Sequence, residues 1–87
     1  MISRTTRTFW DAHGQLSEGR KLAAQRAFRS FVQDPGHNSL QFKKLRGHAN
    51  YWSVRVSPDL RAVGKRQGDT IEWVWIGSHN EFDKLFG

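Results

Sequence analysis

Three runs of residues in the second half of the chain decide what it can fold into. Tyr51 to Ser57 alternates, with Trp52, Val54 and Val56 on one side and Tyr51, Ser53, Arg55 and Ser57 on the other, which is the period-two pattern of a half-buried strand. Leu60 to Arg66 follows after Pro58-Asp59, and Thr70 to Gly77 follows after Gln67-Gly68-Asp69. Both links are built from residues that favour tight turns, and strands joined by links this short pair antiparallel. The third run is apolar on both faces, Ile71, Trp73 and Trp75 against Val74 and Ile76, and is expected to be a central strand.

A sheet with an apolar face needs a cover, and the first half of the chain supplies two helices. Thr6 or Thr8 can cap a short one reaching about Leu16, with Phe9, Trp10 and His13 on one face and Gly14 as its terminator. Ser17 opens the second, with Glu18 in the first turn, where an acid suits the helix dipole. Its apolar stripe is Leu22, Ala23, Ala24, Ala27, Phe28, Phe31 and Val32. Asp34-Pro35 stops it, because a residue before proline is pushed out of the helical region. Ser39 to Leu45 reads as a short strand or extended segment, and Ser78 to Phe86 as a final turn or short helix docked on the sheet through Phe82, Leu85 and Phe86. The expected class is α+β, a helical hairpin packed on one face of a twisted antiparallel sheet. Its 87 residues are enough for a single domain, 1–87, and no more.

Charge is the next constraint. The chain carries a net +6, and from Lys43 to Arg66 there are seven basic residues against one acid, Asp59, so this segment holds the whole excess. Such clustering attracts polyanions. Alternation places Arg55, with Arg61 and Lys65 of the next strand, on the face turned away from the helices. Cysteine is absent, which excludes disulfides, thiolate metal sites and a cysteine nucleophile. The four histidines, His13, His37, His48 and His79, are widely separated, and only His79 has a carboxylate at helical spacing, Asp83. No metal is expected. Neither a Walker pattern nor a dinucleotide fingerprint occurs, and no serine sits in a nucleophile elbow, so no cofactor is expected either. The polar, basic start from Met1 to Arg7 and the lack of any membrane-length apolar stretch lead us to expect a soluble, cytoplasmic protein with no membrane partner.

A basic sheet face with a histidine at its rim suits cleavage of RNA without a metal. RNA brings its own nucleophile, the 2′-hydroxyl, so the protein must supply proton transfer and cations around the phosphate. His79 is the proton-transfer candidate. Arg55 and Arg61 are the phosphate-stabilising candidates, since a guanidinium fork matches two phosphate oxygens. Lys43, Lys44, Arg46 and Lys65 would hold the flanking backbone, and Tyr51 or Phe82 could stack on a base. Asp59, after Pro58, reads either as a turn former or as an acid catalyst. Trp73 and Trp75 read as packing residues.

Four pieces in register, Phe42-Lys43-Lys44-Leu45-Arg46-Gly47, Tyr51-Trp52-Ser53-Val54-Arg55-Val56, Asp59-Leu60-Arg61-Ala62 and Trp73-Val74-Trp75-Ile76-Gly77-Ser78-His79, resemble the RelE/ParE toxin superfamily of type II toxin-antitoxin systems. The resemblance implies a RelE-like fold and a toxin neutralised by a cognate antitoxin in a hetero-oligomer. RelE-type members are messenger-RNA endoribonucleases that inhibit translation in the ribosomal A site without a metal, and ParE-type members poison DNA gyrase. Arg61 matches the family's strand arginine, and Lys43, Lys44 and Arg46 its basic approach segment. Arg55-Val56-Ser57-Pro58-Asp59 and the end from Gly77-Ser78-His79 to Leu85-Phe86-Gly87 are similar to the YafQ branch. Arg55 stands where that branch has a catalytic histidine, and Phe82 where many relatives have tyrosine. The resemblance therefore implies a ribosome-dependent messenger-RNA endoribonuclease acting through His79, Asp59 and Arg61. The alternatives are a gyrase inhibitor and a catalytically weak relative that binds RNA or antitoxin.

Overall fold

The computed structural model describes all residues, 1–87. The elements run β1 (Ile2–Thr5), α1 (Arg7–His13), α2 (Glu18–Gln33), β2 (Lys43–Lys44), β3 (Tyr51–Ser57), β4 (Leu60–Gln67), β5 (Thr70–Ser78) and α3 (His79–Phe86). One five-stranded sheet has the order β1-β5-β4-β3-β2. From β2 to β5 it is antiparallel, as the short links require. At the far edge β1 pairs with β5 in parallel, so the sheet is mixed. The sequence reading missed β1 because four residues, three of them polar, carry no alternation.

Both helices begin where side-chain caps allow. The hydroxyl of Thr6 accepts from the Phe9 amide at 3.2 Å and donates to the Trp73 carbonyl at 2.9 Å, so one residue starts α1 and ties it to β5. Ser17 accepts from the Arg20 amide at 3.3 Å and starts α2. The first helix ends at His13, earlier than expected. Its last turn tightens through Gln15 N–H to Ala12 and Leu16 N–H to His13 carbonyls. Ser39 to Leu45 is extended only at Lys43–Lys44, and Asn38–Leu40 forms a 3-10 turn instead.

Trp52, Val54 and Val56 face the helices and join a core of Phe31, Leu40, Leu60, Ala62, Ile71, Trp73 and Ile76. Phe31 stands edge-on to Trp73 at 5.2 Å and to Phe42 at 5.0 Å. Each fully buried side chain of this size contributes about 1.5–3 kcal/mol, so Phe31, Leu60 and Ile71 are major sources of stability. The α2 stripe is only partly used. Phe31 is buried, whereas Leu22, Phe28 and Val32 stay about half exposed.

The second face of the sheet is not bare. Helix α3 lies on it, with Phe86 5.5 Å from Trp75 and 5.7 Å from Phe82. The expected docking of Leu85 is not seen, because that side chain points to solvent. The face opposite the hairpin thus carries an aromatic patch beside its cations.

Two β-bulges shape the sheet. Val74 has no partner where Val63 pairs with Trp75 and Gly64 with Trp73, and Val56 has none where Arg55 pairs with Arg61 and Ser57 with Leu60. Gly64 makes the first possible. A Cβ there would sit 2.7 Å from Ile71 Cγ1 and 2.9 Å from Trp73 Cε3. Gly64→Ala is expected to destabilise the fold by about 1–3 kcal/mol through overpacking, read as a lower urea midpoint. An unchanged or raised midpoint contradicts this packing.

Candidate functional site

The site forms where the β3–β4 turn meets the start of α3. Arg55 and Arg61 are directly opposite across β3 and β4, and Gly77 of β5 lies next in the same row. A Cβ on Gly77 would strike the Trp75 indole, and Glu81 Oε1 lies 3.2 Å from that position. The missing side chain therefore lets Trp75 lie across the strand and lets α3 start close by. Helix α3 opens with a capping box: Ser78 Oγ accepts from the Glu81 amide at 3.1 Å, and Glu81 Oε1 accepts from the Ser78 amide at 3.0 Å. These bonds hold the Glu81 carboxyl below the usual glutamate range. They also fix His79 as the first residue of the helix.

Arg61 is gripped from one side. Its Nη1 donates to the carbonyls of Ser57 at 2.7 Å, Leu60 at 3.1 Å and Pro58 at 3.3 Å, while Nη2 lies 3.5 Å from His79 Nδ1. Burial lowers its pKa first, and the Arg55 charge lowers it further, with Asp83 and Asp59 opposing. It stays a cation at neutral pH. His79 Nε2 faces Asp83 Oδ2 at 3.4 Å, four residues on along α3. A carboxylate in that place favours the Nε2–H tautomer and leaves the Nδ1 lone pair on the side of Arg61.

Arg61 and His79 are thus brought together, and Arg55 lies opposite Arg61 on the neighbouring strand. Asp59 is adjacent, but its carboxylate is turned to other partners: Oδ2 accepts from Arg20 Nη2 at 2.6 Å and Oδ1 from Ser57 Oγ at 3.0 Å. The carboxylate thus engages the hairpin and its own turn, not His79. The turn-former reading fits, since its carbonyl also accepts from the His79 amide at 2.8 Å. Lys65 shares the face but pairs with Tyr51 and Glu72, four residues from Arg61, or about 13 Å along the strand. It does not reach the group around His79. Lys43 and Lys44 are exposed on the edge strand, opposite Ser53 and Trp52, and Arg46 lies exposed in the following loop. Tyr51 packs near His48, 6.5 Å between ring centres, and Phe82 is half-buried between His79 and Phe86. Phe82 therefore helps to hold α3 in place.

Sequence reasoning left two contributors out of the site. Asp83 had a signal, its spacing from His79. Arg20 had none, because 39 residues separate it from Asp59.

The groups line an open surface, with the His79 side chain 47% exposed. A cavity of about 620 Å³ lies between α1, α2 and β1 and is lined by Phe9, Trp10, Leu22 and Phe28. It is remote from His79. A second, of about 510 Å³, lies near His37, Phe42, Arg66 and Asp69, where the Arg66 guanidinium stacks 4.6 Å above Trp52. The surface around Arg55, Arg61 and His79 gives no enclosure to a small molecule.

The Arg20 and Ser57 hydrogen bonds hold the Asp59 carboxyl below the usual aspartate range, against a smaller opposing effect of desolvation. A depressed folded value means that the stabilisation is present above the unfolded value and is lost as pH falls through the folded one. The stability difference between the unaltered chain and Arg20→Ala, measured by urea unfolding, is therefore expected at neutral pH and should fade as the pH drops below about 4. A difference that persists undiminished into strong acid contradicts the ion pair.

Several solved structures share this fold. The RelB-RelE antitoxin-toxin complex from Methanococcus jannaschii matches with a TM-score of 0.76 and 16% identity over 97% of this chain and 99% of that one. YafQ from E. coli strain BL21(DE3) matches with 0.71 and 15% over 98% and 97%. The YoeB/ParE toxin from Agrobacterium tumefaciens matches with 0.66 and 21% over 91% and 99%. No curated protein matches the sequence. Residues 21–84, from the second turn of α2 to the last turn of α3, match the model of the ParE-like toxin domain. With three quarters of the chain inside that match and the fold shared throughout, the protein belongs to the ParE-like toxin family.

Proposed function

We propose that this toxin cleaves messenger RNA held on the ribosome, using Arg55, Arg61 and His79. The observation that carries the reading is the pair of arginines directly opposite on β3 and β4, Arg61 fixed by turn carbonyls with the His79 imidazole beside it. Like charges directly opposite on a sheet repel. A phosphodiester between them removes the repulsion and places its phosphorus next to His79.

The chemistry follows from those positions. His79 Nδ1 takes the proton of the 2′-hydroxyl, whose oxygen attacks the adjacent phosphorus. The bond to the 5′-oxygen breaks, and that oxygen takes a proton from solvent. The products are a 2′,3′-cyclic phosphate and a 5′-hydroxyl. Arg61 and Arg55 stabilise the charge that builds on the non-bridging oxygens. Asp83 holds the imidazole in the required tautomer. No group of three His, Cys, Asp or Glu side chains is placed to hold a metal ion. The openness of the site supports ribosome dependence, since nothing in this chain encloses the nucleotides, and orientation must come from whatever holds the message. Lys43, Lys44, Arg46 and Lys65, with Tyr51, would contact the flanking strand.

The partner is a cognate antitoxin. Structural neighbours were solved as RelB-RelE and DinJ-YafQ toxin-antitoxin complexes, and the concentrated positive charge suits an acidic segment. No helix is long and apolar enough to cross a membrane, and action on ribosomes implies a cytoplasmic protein. A second reading, inhibition of DNA gyrase, is favoured by the ParE-like family match. A third, a catalytically weak relative, is favoured by Arg55 in place of a catalytic histidine.

On programmed ribosomes the unaltered protein is expected to leave cyclic-phosphate ends. His79→Ala should lower the cleavage rate by about 10²–10⁴-fold, and Arg61→Ala by about 10²–10³-fold. If both variants stay folded and cut at the full rate, the site is elsewhere. Intact message together with blocked supercoiling by purified gyrase selects the second reading, and intact message with salt-sensitive RNA binding selects the third.

A further inference from the structure

The hydrogen bonds around Asp59 form a continuous tie between the helical hairpin and the site. Arg20 lies in the first turn of α2, and its Nη2 meets Asp59 Oδ2 at 2.6 Å. Ser57 Oγ meets the other oxygen at 3.0 Å. The same short turn supplies all three carbonyls that hold Arg61 Nη1, and the carbonyl of Asp59 itself receives the His79 amide. The remaining two ion pairs of the molecule, Lys21 with Glu18 and His79 with Asp83, are each internal to one helix. Arg20–Asp59 is therefore the one ionic link between the hairpin and the β3–β4 turn. Each carboxylate oxygen of Asp59 thus accepts one of the two hydrogen bonds of this tie.

We propose that Arg20 is a positioning residue of the phosphodiester site. Through Asp59 it fixes the β3–β4 turn, and the turn in turn sets both the Arg61 guanidinium and the start of α3 at His79. Asp59 serves as the anchor of this tie, not as an acid or base. The proposal rests on the ribonuclease reading for its effect on rate, but the tie itself is a property of the free protein. Asparagine at position 59 preserves it: the amide oxygen still accepts from Arg20, and the amide nitrogen donates to Ser57 Oγ, which accepts as readily as it donates.

Amide hydrogen exchange at His79 in the free protein and cleavage kinetics on programmed ribosomes test this together, in Arg20→Ala, Asp59→Ala, the double variant and Asp59→Asn. Arg20→Ala is expected to speed His79 amide exchange roughly fivefold or more and to lower kcat about tenfold with KM unchanged, because misplacement of the reacting groups acts on the chemical step. Asp59→Ala should match it, the double variant should be no worse than either single one, and Asp59→Asn should stay within about threefold of the unaltered protein. Loss of activity in Asp59→Asn as deep as in His79→Ala overturns the proposal by making Asp59 a proton-transfer group. Unchanged exchange and kcat in Arg20→Ala overturn it by reducing the pair to a surface contact, and a rise in KM alone makes Arg20 an RNA contact. If the unaltered protein cuts no message, the ribonuclease reading falls, and unchanged exchange in Arg20→Ala still overturns the tie while faster exchange supports it.

Discussion

A guanidinium held by the carbonyls of a tight turn is the constraint on which the rest of this surface depends. Arg61 spends one terminal nitrogen on Ser57, Pro58 and Leu60 and so cannot swing into solvent as a surface arginine would. Its other nitrogen is aimed at His79. The turn has this shape because Val56 is bulged out of the ladder and Pro58-Asp59 reverses the chain at once. Arg55 then falls opposite Arg61 in register. Two cations are forced together with no acid bridging them, and an anion is the complement that such a pair lacks.

The two faces of the sheet divide the work. The hairpin side carries the buried core, with Phe31, Leu60 and Ile71 fully buried. The other side carries a smaller aromatic packing of Trp75, Phe82 and Phe86. An eight-residue helix is too short to persist alone. Helix α3 depends on that packing and on the Ser78–Glu81 capping box. The placement of His79 therefore depends on that packing and that cap.

Much of this was legible in the residues. Period-two alternation identified β3 to its exact ends and the side of Trp52, Val54 and Val56, and Ser17 and Asp34-Pro35 bounded α2. Alternation also put Arg55 and Arg61 on one face. It could not see β1, whose parallel pairing with β5 joins opposite ends of the chain. Nor could it tell Lys65 from Arg61, because a pleat reports the face and not the distance along the strand. The tie from Arg20 to Asp59 is long-range and charge-mediated, and local pattern holds no record of it. The α2 stripe misled in the other direction, since apolar spacing predicted burial for Leu22, Phe28 and Val32, which stay about half exposed.

The central claim is that Arg55, Arg61 and His79 surround one phosphodiester. A structure of the protein on a ribosome whose message carries 2′-O-methyl groups, which block attack, tests it most directly. The account predicts a phosphate lying between the two guanidiniums, with His79 Nδ1 within hydrogen-bond reach of the neighbouring 2′-oxygen. A message that passes instead along the α1–α2 cleft, or crosses the sheet with no phosphate near Arg61, would contradict it.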